Sequence, residues 1–355
     1  MANVTQYLQD ILGQPTALRA VVSDSGPTAG RWAQEWHGSG RRPILFTGMG
    51  ASLFAAEAVS AVLSRDGIAS RAIATSDLLD YERATLADDP FLVVVSQSGE
   101  SAELAGLMAR VAPDRVRAVT NRAEGRLADW AGDTLVIGAI PDLSVAIRSY
   151  TVTLAALLLL AAALRTGVGA AATRILAAAD EIQRDTGAWQ SAARSVASRL
   201  SEVQFVTFLG WGSGIGSAHD ASLLMKEGAR VPSEAMSAAQ FRHGAVEVVD
   251  RRQATVFFMN DRGDAQREDA WAYVAELMAL DTTVVVIGPE PPSDVRTPRL
   301  LHVRAGDTLE EAGALAEIVP IQLLAAELAQ SSGFEAGSFR NTTPVVSRIP
   351  VRTGG

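Results

Sequence analysis

The sequence predicts an α/β protein with two parallel sheets, each covered by helices on both faces. Three observations carry that expectation. Short β-rich runs alternate with helical stretches of about ten or more residues, the rhythm of a helix-covered parallel sheet. The same order of elements occurs twice, with a period of about 160 residues. Hydrophobic content is 48% with only 6% aromatics, mostly Ala, Leu and Val, which suits covered sheets and Ala-rich helices. At 355 residues the chain can form one large unit or two domains.

Residues 1–40 read as a polar helical lead-in, broken at Gly13-Gln14-Pro15 and Gly26-Pro27, since Gly and Pro punctuate helices. The first unit, 41–168, opens with a strand at 43–46 that ends in Thr47-Gly48-Met49-Gly50-Ala51-Ser52. A helix at 53–63 and strands at 70–74 and 91–95 follow, the last ending in Ser96-Gln97-Ser98-Gly99-Glu100-Ser101. Helix 102–111, strand 115–120, a short helix, strand 134–138 and a long helix at 145–166 complete the unit. An Ala-rich connector, 169–200, leads to the second unit and C-terminal tail, 201–355. There the order repeats: strand 203–209, loop Gly210-Trp211-Gly212-Ser213-Gly214, the helix holding Lys226, strands at 231–235, 254–259, 282–287 and 300–303, and helix 315–330.

The net charge of −9 argues against nucleic acid and anionic membranes as partners, because both demand a basic surface. With no cysteine, disulfides, thiol nucleophiles and thiolate metal sites are excluded. MANVTQYLQD lacks the basic and apolar regions of a secretory signal. The apolar run 151–164 is shorter than the ~18 residues of a membrane span and reads as a buried core helix. A cytoplasmic location follows.

The stretch LLMKEGARVPSEAMSAAQFRH, 223–243, concentrates proton-transfer groups. It holds Lys226, the one lysine against thirty arginines, beside Glu227, and closes on His243. An ammonium can lose its proton on desolvation where a guanidinium cannot. Carboxylate, amine and imidazole are the parts of an acid–base site, although a salt-bridged helix with a surface histidine has the same spacing. Glu227 sits late in its helix, before Gly228, where the dipole disfavours a carboxylate and desolvation raises its pKa. His37, His219 and His302 have no neighbouring acid pattern and read as structural; no spacing suits a metal.

The loop Ser96–Ser101 offers three hydroxyls and a glycine at the carboxyl end of a buried strand, where open parallel sheets collect ligands. With the N-terminus of the next helix it reads as an anion cradle, beyond what ordinary capping needs. Gly48–Ser52 is a similar, less specific loop. The corresponding loop of the second unit, Met259-Asn260-Asp261-Arg262-Gly263-Asp264, has two acids and would repel an anion, so the substrate's charged end belongs to the first unit.

SQSGES after a buried strand, the KEG…SEA…FRHG block and the ILGQP opening together resemble the tandem sugar-isomerase (SIS) family. The likeness is to the isomerase half of glucosamine-6-phosphate synthase and its stand-alone relatives, from about Tyr7 to Asn341. The resemblance implies that Ser52, Ser96, Gln97, Ser98 and Ser101, with Gly50 in the adjoining loop, hold a substrate phosphate, and that Val145 lies against the sugar. It implies that Glu227 is the enolising carboxylate and that His243 opens the sugar ring, reaching across from the other subunit of a homodimer. Lys226 matches a family lysine read as supporting structure first and as an imine former second. Two family lysines are replaced, by Leu224 and Pro344. The expected activity is therefore aldose–ketose isomerisation of an anionic sugar without a cofactor. Deamination or deglycation of an aminosugar phosphate is the alternative; a glutamine-independent aminotransferase and a non-catalytic sensor rank lower.

Overall fold

The computed structural model describes residues 5–138, 142, 145–260, 264–297, 299–306 and 310–341. Pro344 and residues 261–263 of the second-unit loop lie outside them. The strands are β1 (Ile44–Gly48), β2 (Ser70–Ala74), β3 (Phe91–Val95), β4 (Val116–Thr120), β5 (Asp133–Val136), β6 (Phe205–Gly210), β7 (Ser233–Ser237), β8 (Gln253–Phe258), β9 (Thr283–Ile287) and β10 (Leu300–Val303). The longer helices are α1 (Gln6–Gly38), α2 (Ala51–Arg65), α3 (Arg148–Arg165), α4 (Gly169–Arg199), α5 (Gly214–Gly228), α6 (Asp264–Met278) and α7 (Val319–Ser331).

Two five-stranded sheets form, in the orders β2-β1-β3-β4-β5 and β7-β6-β8-β9-β10. Every strand pairing is parallel. The order is the same in both, and the registers match. Gly48 pairs with Ala74 as Gly210 pairs with Ser237, and Thr47 pairs with Val94 as Leu209 pairs with Phe257. Counting on from those pairs, Gln97 just past β3 and Asn260 just past β8 occupy equivalent places. All residues of β1, β3 and β8 are buried, as near-continuous apolar strands covered on both faces should be.

The N-terminal segment departs from expectation. Instead of a broken polar lead-in, α1 is one helix of 33 residues with Pro15 and Pro27 inside it, and it is a core element. Tyr7, Ile11, Leu18, Val21, Ala29, Trp32 and Trp36 recur at helical spacing and are all buried. A proline inside a helix costs about 3 kcal/mol, whereas each large apolar side chain withdrawn from water contributes roughly 1.5–3 kcal/mol. Six large buried side chains outweigh two prolines. Part of the defect is also repaired locally: the carbonyl of Ile11, deprived of the Pro15 N–H, accepts from Gln14 Nε2 at 3.1 Å. From α1, Tyr7 Oη donates to the carbonyl of Gln322 in α7 at 3.1 Å, and Arg148 Nη2 of α3 donates to Asp10 at 2.5 Å.

Two apolar helical stretches, Arg148–Arg165 and Glu310–Ser331, have the length and composition of membrane spans, but 89% and 83% of those windows are buried inside the fold. They form the core with α1.

Helices α2 and α5, one following the first strand of each sheet, pack against each other and run in opposite directions. A Cβ added to Gly216 would lie 2.5 Å from the Phe54 carbonyl, while Gly50, at the other end, faces Leu223. The C-terminal end of α5 therefore reaches the N-terminal end of α2, and a group on the second half of the chain is delivered to the first sheet.

Candidate active site

A cavity of about 420 Å³ opens at the carboxyl ends of β1, β3 and β4. Gly50 and Ser52 line it from the loop after β1 and the start of α2; Ser96, Gln97, Ser98 and Ser101 line it from the loop after β3. Glu227, on the last turn of α5, lines it from the second half of the chain, together with Leu223. The hydroxyl loop and the carboxylate picked out in the sequence thus share one wall-to-wall space.

The source of positive potential differs from expectation. The helix after the serine loop spans only Leu104–Met108, too short to sum peptide dipoles usefully. Ser98 is partly engaged in its own turn, accepting from the Glu100 N–H at 3.2 Å. Helix α2 is the better electrostatic partner. It has 15 residues, no acid in its first turn and no side chain capping its start, and its leading residues Ala51 and Ser52 line the cavity. Gly50, at φ 52°, makes the left-handed turn that brings this terminus to the cavity. The N-terminus of α3 is not free. Asp142 accepts from the N–H groups of Ile147, Arg148 and Ser149 at 2.9–3.0 Å and from Ser149 Oγ at 2.6 Å.

Glu227 is largely desolvated, and burial pushes its pKa above the ordinary carboxylate range. Seven residues earlier on the same helix, Asp220 is fully buried, and its pKa is held far above the usual range by burial and then by the charge of Glu227. The Oδ2 atom of Asp220 has no hydrogen-bond partner among the described residues.

The remaining sequence-derived candidates do not converge on this cavity within one chain. Val145 keeps its side chain in the core at 2% exposure, and its neighbour Ala146 lines the cavity. Lys226 is exposed and donates to Ser222 Oγ at 2.9 Å; it faces a neighbouring hollow. His243 is exposed on the turn after β7 and is not a lining residue. Leu224, where the resemblance implies a lysine, is buried in the core.

Asn121 and Arg122, not singled out in the sequence, line the cavity just past β4. Both amide atoms of Asn121 are buried without a protein partner, and the guanidinium of Arg122 has no ion-pair partner among the described residues. Their one sequence signal was position: they follow the strand next to β3, at the edge where such sheets bind ligands. His219, read as structural, is held by a distant acid. Its Nδ1 lies 2.6 Å from Glu57 Oε2, an acid 162 positions away that no local pattern reveals.

At the equivalent edge of the second sheet, buried side chains bind one another. Asn260 Nδ2 donates to Glu317 Oε2 at 2.7 Å and to the Ala305 carbonyl at 2.8 Å, and Ser217 Oγ donates to Glu317 Oε1 at 2.6 Å. Glu317 is 2% exposed.

No family model matches the chain. It is 26% identical over 349 residues to a glutamine–fructose-6-phosphate aminotransferase [isomerizing] of Pyrococcus horikoshii, covering 96% of this chain and 57% of that protein. The chain thus spans a little over half the length of that relative. With AgaS of Streptomyces coelicolor, a proposed D-galactosamine-6-phosphate deaminase, it shares 31% identity over 317 residues, 82% of this chain and 79% of the relative. The C-terminal domain of glucosamine–fructose-6-phosphate aminotransferase from Francisella tularensis superposes with a TM-score of 0.79 at 16% identity, covering 95% of this chain and 99% of the other. A tagatose-6-phosphate ketose/aldose isomerase from Escherichia coli gives 0.77 at 19% identity, covering 98% and 96%. These structures share the fold, and the identity to AgaS extends over about four-fifths of both chains. The chain belongs to the sugar isomerase (SIS) family, with AgaS and the isomerase half of glutamine–fructose-6-phosphate aminotransferase.

Proposed function

We propose that this protein is a sugar-phosphate isomerase that moves a proton between the carbonyl carbon of its substrate and the carbon next to it. The observation that carries the reading is the shared cavity: a desolvated carboxylate, Glu227, across from a hydroxyl-rich loop at an uncapped helix N-terminus. The loop Ser96–Ser101, with Ser52 and Gly50, binds the phosphate. Binding energy from that unreactive end holds the reactive end against Glu227. Glu227 takes a proton from C2 or C1 and returns it to the other carbon through an enediol. Its raised pKa brings it nearer to the basicity that such a transfer needs.

His243 opens the sugar ring, supplied by a second copy of the chain in a homodimer; its exposure on one chain fits that role. Two units, 41–168 and 201–355, then divide the labour between phosphate binding and proton transfer, in a cytoplasmic enzyme. A second reading, release of an amine already present on the sugar phosphate, uses the same enolisation and is favoured by the 31% identity to AgaS. With Leu224 in place of one family lysine, forming a new C–N bond is the least supported reaction.

Exchange of solvent deuterium into fructose 6-phosphate and glucosamine 6-phosphate, followed by NMR, tests the reading. The wild type is expected to exchange at least one of them. Replacing Glu227 with Gln is expected to slow exchange by 10²-fold or more, the usual scale for a general base. Unaltered exchange in that variant would rule out this mechanism.

A further inference from the structure

A second hollow, of about 330 Å³, adjoins the sugar cavity. Glu227 and Phe339 line both spaces and form the wall between them. Lys226, Arg230 and Arg340 line the hollow, and none of the three has an ion-pair partner among the described residues. In a chain of net charge −9, three cations against the single carboxylate of Glu227 around one space are a local reversal of sign.

Two of the three cations are also held in place. Arg230 sits at φ 56°, stacks its guanidinium 4.0 Å from the centre of the Phe334 ring and donates to the carbonyl of Ser338 at 2.7 Å. Lys226 is tied to Ser222 Oγ at 2.9 Å. A guanidinium fixed in this way binds a carboxylate with less loss of side-chain freedom than a mobile one.

We infer that the hollow is a subsite for a second anionic group, carried at the carbonyl end of the sugar phosphate. The inference rests on the sugar-phosphate reading above and deepens its amine-releasing form. A phosphate at the serine loop and reacting carbons at Glu227 leave the substituent on the carbonyl end pointing past Glu227 and Phe339, into the cationic space. A carboxylate on an amine-linked substituent fits there; an uncharged amine gains nothing from it. The hollow therefore selects sugar phosphates whose leaving amine bears an acid over those with none.

Calorimetric titration of the full chain with four probes tests this. They are fructose 6-phosphate, fructose 1,6-bisphosphate, the fructosyl-glycine 6-phosphate ketoamine and its propylamine counterpart, which lacks the carboxylate. The wild type is expected to bind the glycine adduct about tenfold more tightly than the propylamine adduct, with the gap shrinking as salt is raised. Fructose 1,6-bisphosphate, tighter than fructose 6-phosphate by a similar factor, would extend the subsite to phosphate; no gain would restrict it to carboxylate. Arg340 is exposed, so R340A is expected to fold normally, to retain its affinity for fructose 6-phosphate and to cut the glycine-over-propylamine preference to about threefold or less. R340E should abolish the preference. Equal affinity of the two adducts in the wild type, or a preference undiminished in R340E, would overturn the subsite while leaving the sugar-phosphate reading intact. A wild type that binds none of the four overturns both.

Discussion

Glu227 and Asp220 put two buried carboxyl groups seven residues apart on one helix. Both are raised by burial, but Asp220 lies deeper and feels the charge of Glu227. The base must be ionised to work. Activity is therefore expected to fall with acidification along a limb whose midpoint lies above the ordinary glutamate value near 4.3, read from the pH dependence of kcat/KM. Asp220 carries a stability consequence. The folded state holds its proton to higher pH than the unfolded state does, so stability declines as pH rises from about 3.9 toward the raised folded value. The near-isosteric D220N variant lacks that decline and should gain on the wild type in thermal melts between pH 4 and 8. At this scale the sequence exposed the residues whose chemistry is rare in the chain, such as the lysine–glutamate pair and the serine run. It did not expose Asp142, Asn121 or Glu57, whose roles come from neighbours far away in sequence.

At the scale of elements, the central strand at 91–95 was legible because burial on both faces leaves a continuous apolar run, and the edge strands at 70–74 and 300–303 also have the expected bounds. Helix α1 was not, because Gly and Pro mask an apolar stripe whose partners, α3, α4 and α7, are distant in sequence. The short helix at Leu104–Met108 was overestimated for the opposite reason: Leu104 and Leu107 mark a helical face, but only tertiary packing decides where it stops. The α2–α5 contact controls where Glu227 is delivered. A methyl at Gly216 would lie 2.5 Å from a backbone carbonyl and 2.7 Å from Ala58 Cβ, neither of which can rotate away. G216A is expected to cost about 1–3 kcal/mol, the range for overpacking, in urea unfolding. It should also reduce kcat/KM, because the shift is passed along α5 to its last turn.

At the scale of the whole molecule, the matching order of elements was readable, and the two sheets have the same strand order. The serine loop lies in the first half of the chain and the lysine–glutamate pair in the second. What no single chain supplies is a histidine at the cavity, since His243 is exposed elsewhere. If a second copy provides it, E227Q and H243A are each inactive alone. Co-expressed, they form mixed dimers in which one of two sites has both groups intact. Recovery of about a quarter of wild-type activity is the statistical expectation for random pairing: half the dimers are mixed, each with one working site. No recovery would place ring opening with another residue.

The buried Asn260–Glu317–Ser217 link at the second sheet has a consequence for stoichiometry. A duplicated architecture with two equally open edges would saturate at two equivalents of sugar phosphate per polypeptide. Here the residue equivalent to Gln97 is spent on a buried link to other side chains, so a titration should reach its plateau at a single equivalent.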